Sequence, residues 1–179
     1  SDALRAALYR SFRCELAVRR GLDAVQLLWD MTQFFDHIGW VEVMELALGT
    51  GWDPLLLALG LQAHLGPRVF VADRHWSDWQ VLFDSVVAGC GQAPSFSRLV
   101  LLNMLTAAHI QHPEVAPSQH IDDLAQTATG KTDWIVENLP PCAIALARCL
   151  RRRRFKISKK TCLIPRSSPA AQRVNAILR

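Results

Sequence analysis

Apolar residues recur at helical spacing across residues 3–20 and the pattern stops at Gly21, which predicts a first helix ended by that glycine. Residues 24–31, AVQLLWDM, form a short and nearly continuous apolar run rich in Val, Leu and Trp, the mark of a buried strand, with Asp30 at its C-terminal end. Two helices are predicted next, over 36–48 and 54–65; the second has Asp53-Pro54 as N-cap and first helical residue and Gly66-Pro67 as its stop. Their apolar faces imply packing against a sheet. Residues 68–72 and 79–87 read as strands on either side of the polar stretch 73–78, and 95–110 as an apolar helix followed by a loop at Pro113 and Pro117. SQHIDDLAQTA, residues 118–128, suits a tight hairpin with Asp122-Asp123 at its tip. After Gly130 the pattern is interrupted by Pro140-Pro141 and continues as helix to about Arg152, and 155–164 reads as two short strands joined around 158–160. The alternation of strands and helices, with no internal repeat, predicts an α+β fold in which a sheet is covered on one side by helices.

Composition narrows the class. A chain of 179 residues that is 50% hydrophobic and 20% charged can bury a core as a globular domain. No apolar run approaches the roughly 20 residues that span a bilayer, and the Arg-rich start does not resemble a signal-peptide core, so a soluble, intracellular protein is expected, nuclear or cytoplasmic. Five dispersed cysteines, without CxxC pairs or neighbouring His ligands, read as mostly buried thiols in a reducing compartment. Charge is distributed unevenly. All sixteen acidic residues precede Arg148, beside nine basic ones, for a formal −7; the eleven basic residues from Arg148 onward, with no acid among them, carry +11. A polyanion is the natural partner of that end, and Arg151, Arg152, Arg153, Arg154, Lys156 and Lys159 are the candidate phosphate contacts. A solvated end or a localisation signal is the plainer reading of the same run.

The candidate chemistry lies in carboxylates at strand ends. Two such groups on adjacent strands make a site for a hard divalent cation, which prefers oxygen ligands and shares its shell with substrate phosphates. Asp30 and the Asp122-Asp123 pair fit that description. Each alone is weak: with eleven aspartates in 179 residues, an Asp-Asp dipeptide arises by chance in roughly half of such chains, and a turn Asp is more often a cap.

Taken in order, four segments resemble the palm of reverse transcriptases, those of LINE-type (non-LTR) retrotransposons in particular. Asp30-Met31-Thr32-Gln33-Phe34-Phe35-Asp36-His37-Ile38 is similar to the first palm motif, an Asp ending an apolar strand with an aromatic five positions on. Gly91-Gln92-Ala93-Pro94-Ser95-Phe96-Ser97-Arg98, leading into Leu99–Leu102 and Asn103, resembles the second, usually Gln-Gly-x-x-x-Ser-Pro before an apolar helix. His120-Ile121-Asp122-Asp123 stands where the family has an aromatic-x-Asp-Asp hairpin, and Phe155-Lys156-Ile157-Ser158-Lys159-Lys160-Thr161 is similar to a fourth, a short strand ending in Lys-Thr. The likeness covers residues 22–164. Ala93 stands in place of the usual Gly, Arg98 of Pro, and His120 of Tyr or Phe; none of these is a metal ligand.

The resemblance implies an RNA-directed DNA polymerase, with residues 1–165 as a palm-like domain, 166–179 as a basic tail, and fingers and thumb segments supplied by a larger polyprotein. It implies two Mg²⁺ (or Mn²⁺) ions on Asp30 and Asp122, with Asp123 and the Met31 carbonyl assisting. It further implies Phe35 as a steric gate against the ribose 2′-hydroxyl, Gln92 and Ala93 beside the incoming deoxynucleoside triphosphate, and Lys160 near the leaving phosphates as a catalytic charge or proton donor. The partners would be an RNA template and a DNA primer. Two other readings stay open at this point: a catalytically degenerate palm kept as a nucleic-acid-binding or scaffold module, and an unrelated helical domain with a basic end.

Overall fold

Residues 24–29 of the expected strand 24–31 are extended because neither face of that run is polar enough to meet water, and in the computed structural model of the chain they lie in the third of four strands in one sheet, which ends before Asp30. The structure describes residues 2–82, 84–165 and 168–179. In chain order the elements are α1 (Asp2–Arg19), β1 (Asp23–Trp29), β2 (Met31–Thr32), a 3-10 turn (Phe34–His37), α2 (Trp40–Gly49), α3 (Pro54–Leu65), β3 (Val71–Ala72), β4 (His75–Trp76), α4 (Ala93–Gln111), β5 (Ala116–His120), β6 (Asp123–Gly130), α5 (Thr132–Arg152), β7 (Lys156–Ile157), β8 (Cys162–Ile164) and α6 (Pro169–Leu178). The mixed helix and antiparallel-strand fold expected of the chain is present. It gathers into two compact units, one of Ser1–Thr32 with Leu102–Arg179, the other of Gln33–Leu101.

The first unit is built on the antiparallel sheet β5-β6-β1-β8. Side chains alternate along β1, so Gln26 points to one face and Leu27 and Trp29 to the other. Gln26 Nε2 donates to Cys14 Sγ and to the Arg10 carbonyl of α1, whereas Trp29 Nε1 donates to Gln126 Oε1, whose amide donates to the Cys142 carbonyl and Sγ of α5. Helices therefore cover both faces: α1 lies against one, and α5 and α6 against the other. The expectation of cover on one side only is corrected, because β1 is apolar on both sides and each had to be shielded. The buried core of this unit includes Val25, Leu27, Trp29, Leu124, Ala128, Ile135, Leu139, Leu146, Leu150 and Val174.

Local rules placed most boundaries. Gly21, at φ +72°, ends α1 in the left-handed conformation that glycine adopts without a steric penalty. Asp53 caps α3 by accepting from the backbone N–H groups of Leu55 and Leu56 at 2.8 and 3.0 Å. Helix α5 is not interrupted at Pro140-Pro141 but runs through both. A proline inside a helix costs about 3 kcal/mol, and the buried row Ile135, Leu139, Cys142, Leu146, Leu150 offsets it by packing one face on the sheet. The stretch 166–179, expected as a basic tail, contributes α6, capped by Ser168 and anchored by buried Ala170, Ala171 and Val174; Arg166 lies outside the described residues.

The second unit departs further from expectation. The helix foreseen over 36–48 divides at Ile38-Gly39 into the 3-10 turn and α2, because Ile38 is extended and fully buried. The strand foreseen over 79–87 does not form; the part of it at residue 83 lies outside the described residues. Instead the chain reverses early, at Asp73-Arg74, both with positive φ, and pairs Val71–Ala72 with His75–Trp76. Ser85, at φ +108°, breaks the later run, and it and Val86 bond to the 3-10 turn and the residue that caps it, Ser85 N–H to Ile38 O and Val86 N–H to Phe35 O. Strand propensity was overridden by these tertiary partners. Around Phe96, which is fully buried, sit Trp52 and His64, with ring centroids 6.1 and 5.7 Å away.

Candidate metal and nucleotide site

Antiparallel pairing decides where the three carboxylates fall. In β1 on β6 the register runs from Asp23 opposite Gly130 to Trp29 opposite Leu124, so Asp30, the next residue, comes beside Asp123. In the hairpin of β5 and β6, His120 pairs with Asp123, leaving Ile121-Asp122 as a two-residue turn. Asp30, Asp122 and Asp123 thus lie at the same end of the sheet.

The turn is held under strain. Ile121 adopts φ +56°, a conformation that costs a β-branched residue about 1–2 kcal/mol and that glycine or asparagine ordinarily fills. Gln119 Nε2 donates to the Ile121 carbonyl at 2.8 Å and braces it. Strain of this kind persists where surrounding structure enforces it, and it concentrates at functional sites.

Asp30 is fixed through its backbone. Its N–H donates to Thr161 Oγ at 3.1 Å, its carbonyl accepts from the Ser158 N–H at 2.8 Å, and the Thr161 hydroxyl also lies 3.3 Å from that carbonyl. Met31 and Thr32 then pair with Ile157 and Lys156. The segment holding Lys160 is by this means tied to Asp30. Thr161 was in the quoted Lys-Thr motif but had no assigned role, and Gln126 was also missed; a Gln between apolar residues in a buried strand was the available signal. If Gln126 were removed, the buried Trp29 N–H would lose its acceptor, a loss of about 1–3 kcal/mol.

The charges at the sheet end interact. Partial burial raises the Asp123 carboxyl above its ordinary range, repulsion from Asp122 and Asp30 adds to the rise, and His120 and Arg10 oppose it. Among the described residues, no three His, Cys, Asp or Glu side chains are already gathered as a ligand shell; the three aspartates share an edge without closing on one point. The raised carboxyl has a stability consequence. Its charged form is disfavoured in the folded state, so its effect is absent in acid and becomes a penalty as pH rises through and above 3.8. Asp123→Asn is therefore expected to stabilise the protein near pH 7, by no more than a few tenths of a kcal/mol because the side chain is largely exposed and screened by solvent, with the gain vanishing by about pH 3. Denaturant titrations at the two pH values check this; an equal gain at both contradicts it.

The other expected site residues lie as follows. Met31 is buried, and Lys160, Lys159 and Lys156 are exposed around β7 and its turn. Arg151–Arg154 are exposed at the C-terminal end of α5, where Arg151 and Arg152 also complement the helix dipole. Arg151, Arg152, Arg154, Lys156, Lys159 and Lys160 have no acidic partner among the described residues, while Arg173 of α6 pairs with Asp133. In the second unit, Phe35 is half-buried edge-to-face against Phe34, with centroids 5.2 Å apart. Gln92 is exposed and lines a cleft of about 590 Å³ with Trp52, Leu56, Gly60 and Cys90. Ala93 starts α4 with its side chain buried. All five cysteines are free; only Cys142 is fully buried, its thiol pushed up to about 11 by burial, so the expectation of mostly buried thiols is corrected. No helix among the described residues is long and apolar enough to cross a membrane. No family model matches the chain, and no curated protein matches it.

Proposed function

We propose that the chain is the palm region of an RNA-directed DNA polymerase similar to the reverse transcriptases of LINE-type retrotransposons, adding deoxynucleotides to a primer 3′-hydroxyl. The observation that carries this reading is the register of β1 on the β5–β6 hairpin, which sets Asp30 beside the Asp122-Asp123 tip. The donor set is all oxygen, which suits Mg²⁺ or Mn²⁺, and the repulsion from Asp122 and Asp30 that adds to the effect of burial on Asp123 is what a dication would relieve.

Asp30 and Asp122 would hold two such ions, supported by Asp123 and the Met31 carbonyl. Bound there, the ions supply activation of the primer hydroxyl and neutralisation of charge on the leaving pyrophosphate. The chain's own residues do the rest. The Thr161 and Ser158 bonds to the Asp30 backbone keep that carboxylate at a fixed height on the sheet end. Lys160, on the same turn, would give charge or a proton to the leaving oxygen. Phe35 would press on the sugar C2′ and exclude a ribose hydroxyl, Gln92 and Ala93 would border the nucleotide, and Arg151–Arg154, Lys156 and Lys159 would run along template–primer phosphates.

Primer extension on an RNA template, by the chain joined to fingers and thumb segments of its native polyprotein, tests the reading. Phe35→Val is expected to retain deoxynucleotide addition while increasing ribonucleotide use about 10–100-fold, since a missing steric contact of this size is worth that ratio. If the unsubstituted protein binds duplex tightly but never extends it, the degenerate-palm reading replaces the catalytic one. If it extends and Phe35→Val retains the parent's sugar choice, only the gate assignment falls.

A further inference from the structure

The face of the first unit covered by α5 and α6 contains a cleft of about 490 Å³ that none of the three aspartates lines, although Trp29, Ile157 and Thr161 border it. Its inner wall is apolar, with Leu27 from β1, Ala147 from α5 and Leu178 from α6. Ala143 and Ala147 lie one turn apart on α5 and both line the cleft, so short side chains leave this space open where Leu146 and Leu150 fill the core beside it. The polar part is cationic. Arg148 and Arg151, three residues apart and hence neighbours on the helix surface, both border the cleft, and Asn175 of α6 adds an amide. No acidic residue lines it, and neither arginine has an acidic partner among the described residues.

We infer that this cleft binds a small amphipathic anion, an aromatic or aliphatic body carrying one carboxylate, sulfonate or phosphate group. The volume falls within the range of small-molecule sites, which combine apolar walls with a few polar groups that fix orientation. Two adjacent guanidiniums repel each other until an anion sits between them, and their planar donor forks match an oxyanion better than they match water. The apolar body contributes affinity by leaving water, and the arginines select for the negative head. The inference goes beyond the polymerase reading and does not depend on it, since none of the three aspartates lines the cleft.

The test uses the full chain and two dyes of similar shape, the anionic 8-anilinonaphthalene-1-sulfonate and the uncharged N-phenyl-1-naphthylamine, followed by energy transfer from tryptophan. Both should bind at a single saturable site, the anion more tightly. The exposed pair Arg148→Gln with Arg151→Gln should weaken the anion about tenfold or more and change the neutral dye less than about twofold. Ala147→Phe, which fills the cleft, should remove both; Leu178→Trp, nearer the end of the chain, blocks the same space if the first variant fails to unfold cooperatively. Asp30→Asn should leave both dyes bound as before, which separates this inference from the catalytic one. Binding at several unsaturable sites, anion binding that survives the double arginine substitution, or neutral binding that survives both filling variants overturns the proposal.

Discussion

Asp30→Asn and Asp122→Asn are each expected to reduce primer extension by about 10³-fold or more while leaving template–primer affinity nearly unchanged. The asymmetry follows from where the charges lie. Both aspartates sit at the end of the sheet beside the β5–β6 turn, whereas the basic residues proposed to contact phosphates lie at the end of α5 and around β7. Asparagine keeps the size and one oxygen of each side chain but removes the charge a divalent cation requires. Folding should not suffer, because the Asp30 bonds found here are made by its backbone to Ser158 and Thr161. Equal thermal midpoints for parent and variants would confirm that the loss is one of chemistry. Extension at the parent's rate by either variant would remove the catalytic assignment altogether, and a parallel loss of duplex binding would move the aspartates from metal ligation to a structural role.

Replacing Arg151–Arg154 together by Gln should act in the opposite sense, on affinity and its salt dependence. Each phosphate contact contributes about 0.7–0.9 to the slope of log affinity against log salt, so four lost contacts lower it by roughly 3 to 4 units. With binding at high salt unchanged, this corresponds to a loss of roughly 10²–10³ in affinity near physiological ionic strength. All four side chains are exposed, so unfolding is not expected to account for the effect, although losing Arg151 and Arg152 from the last turn of α5 removes a favourable interaction with the helix dipole of about 0.3–1 kcal/mol. An unchanged slope would mean that the run is a solvated helix end. The dye experiment shares Arg151 with this set, and Arg148→Gln alone distinguishes the two roles, since Arg148 borders the cleft but lies outside the run.

The sequence by itself determined what depends on neighbours along the chain. Asp53 and Pro54 open α3 and Gly21 closes α1 because caps and left-handed positions are local requirements. The strand before Asp30 and the hairpin around Asp122-Asp123 were legible because short apolar and alternating runs bounded by turn residues have few other uses. What only the tertiary structure decided are the pairings between distant segments. Nothing local states that Met31 pairs with Ile157, that Thr161 grips the backbone of Asp30, or that Gln126 joins Trp29 to α5. Each of these is a hydrogen bond whose partner is specified by where the sheet brings it. The same applies to the failures: residues 79–87 had strand composition but, among the described residues, make only the single bridge of Gln80 to Arg68 before Ser85 turns the chain away, and Pro140-Pro141 did not break a helix whose buried face outweighed two missing donors. The convergence of three aspartates stands between the two. Their places at strand ends were local, and their meeting was set by an antiparallel register that brings the end of β1 to the tip of a hairpin more than ninety residues later in the chain.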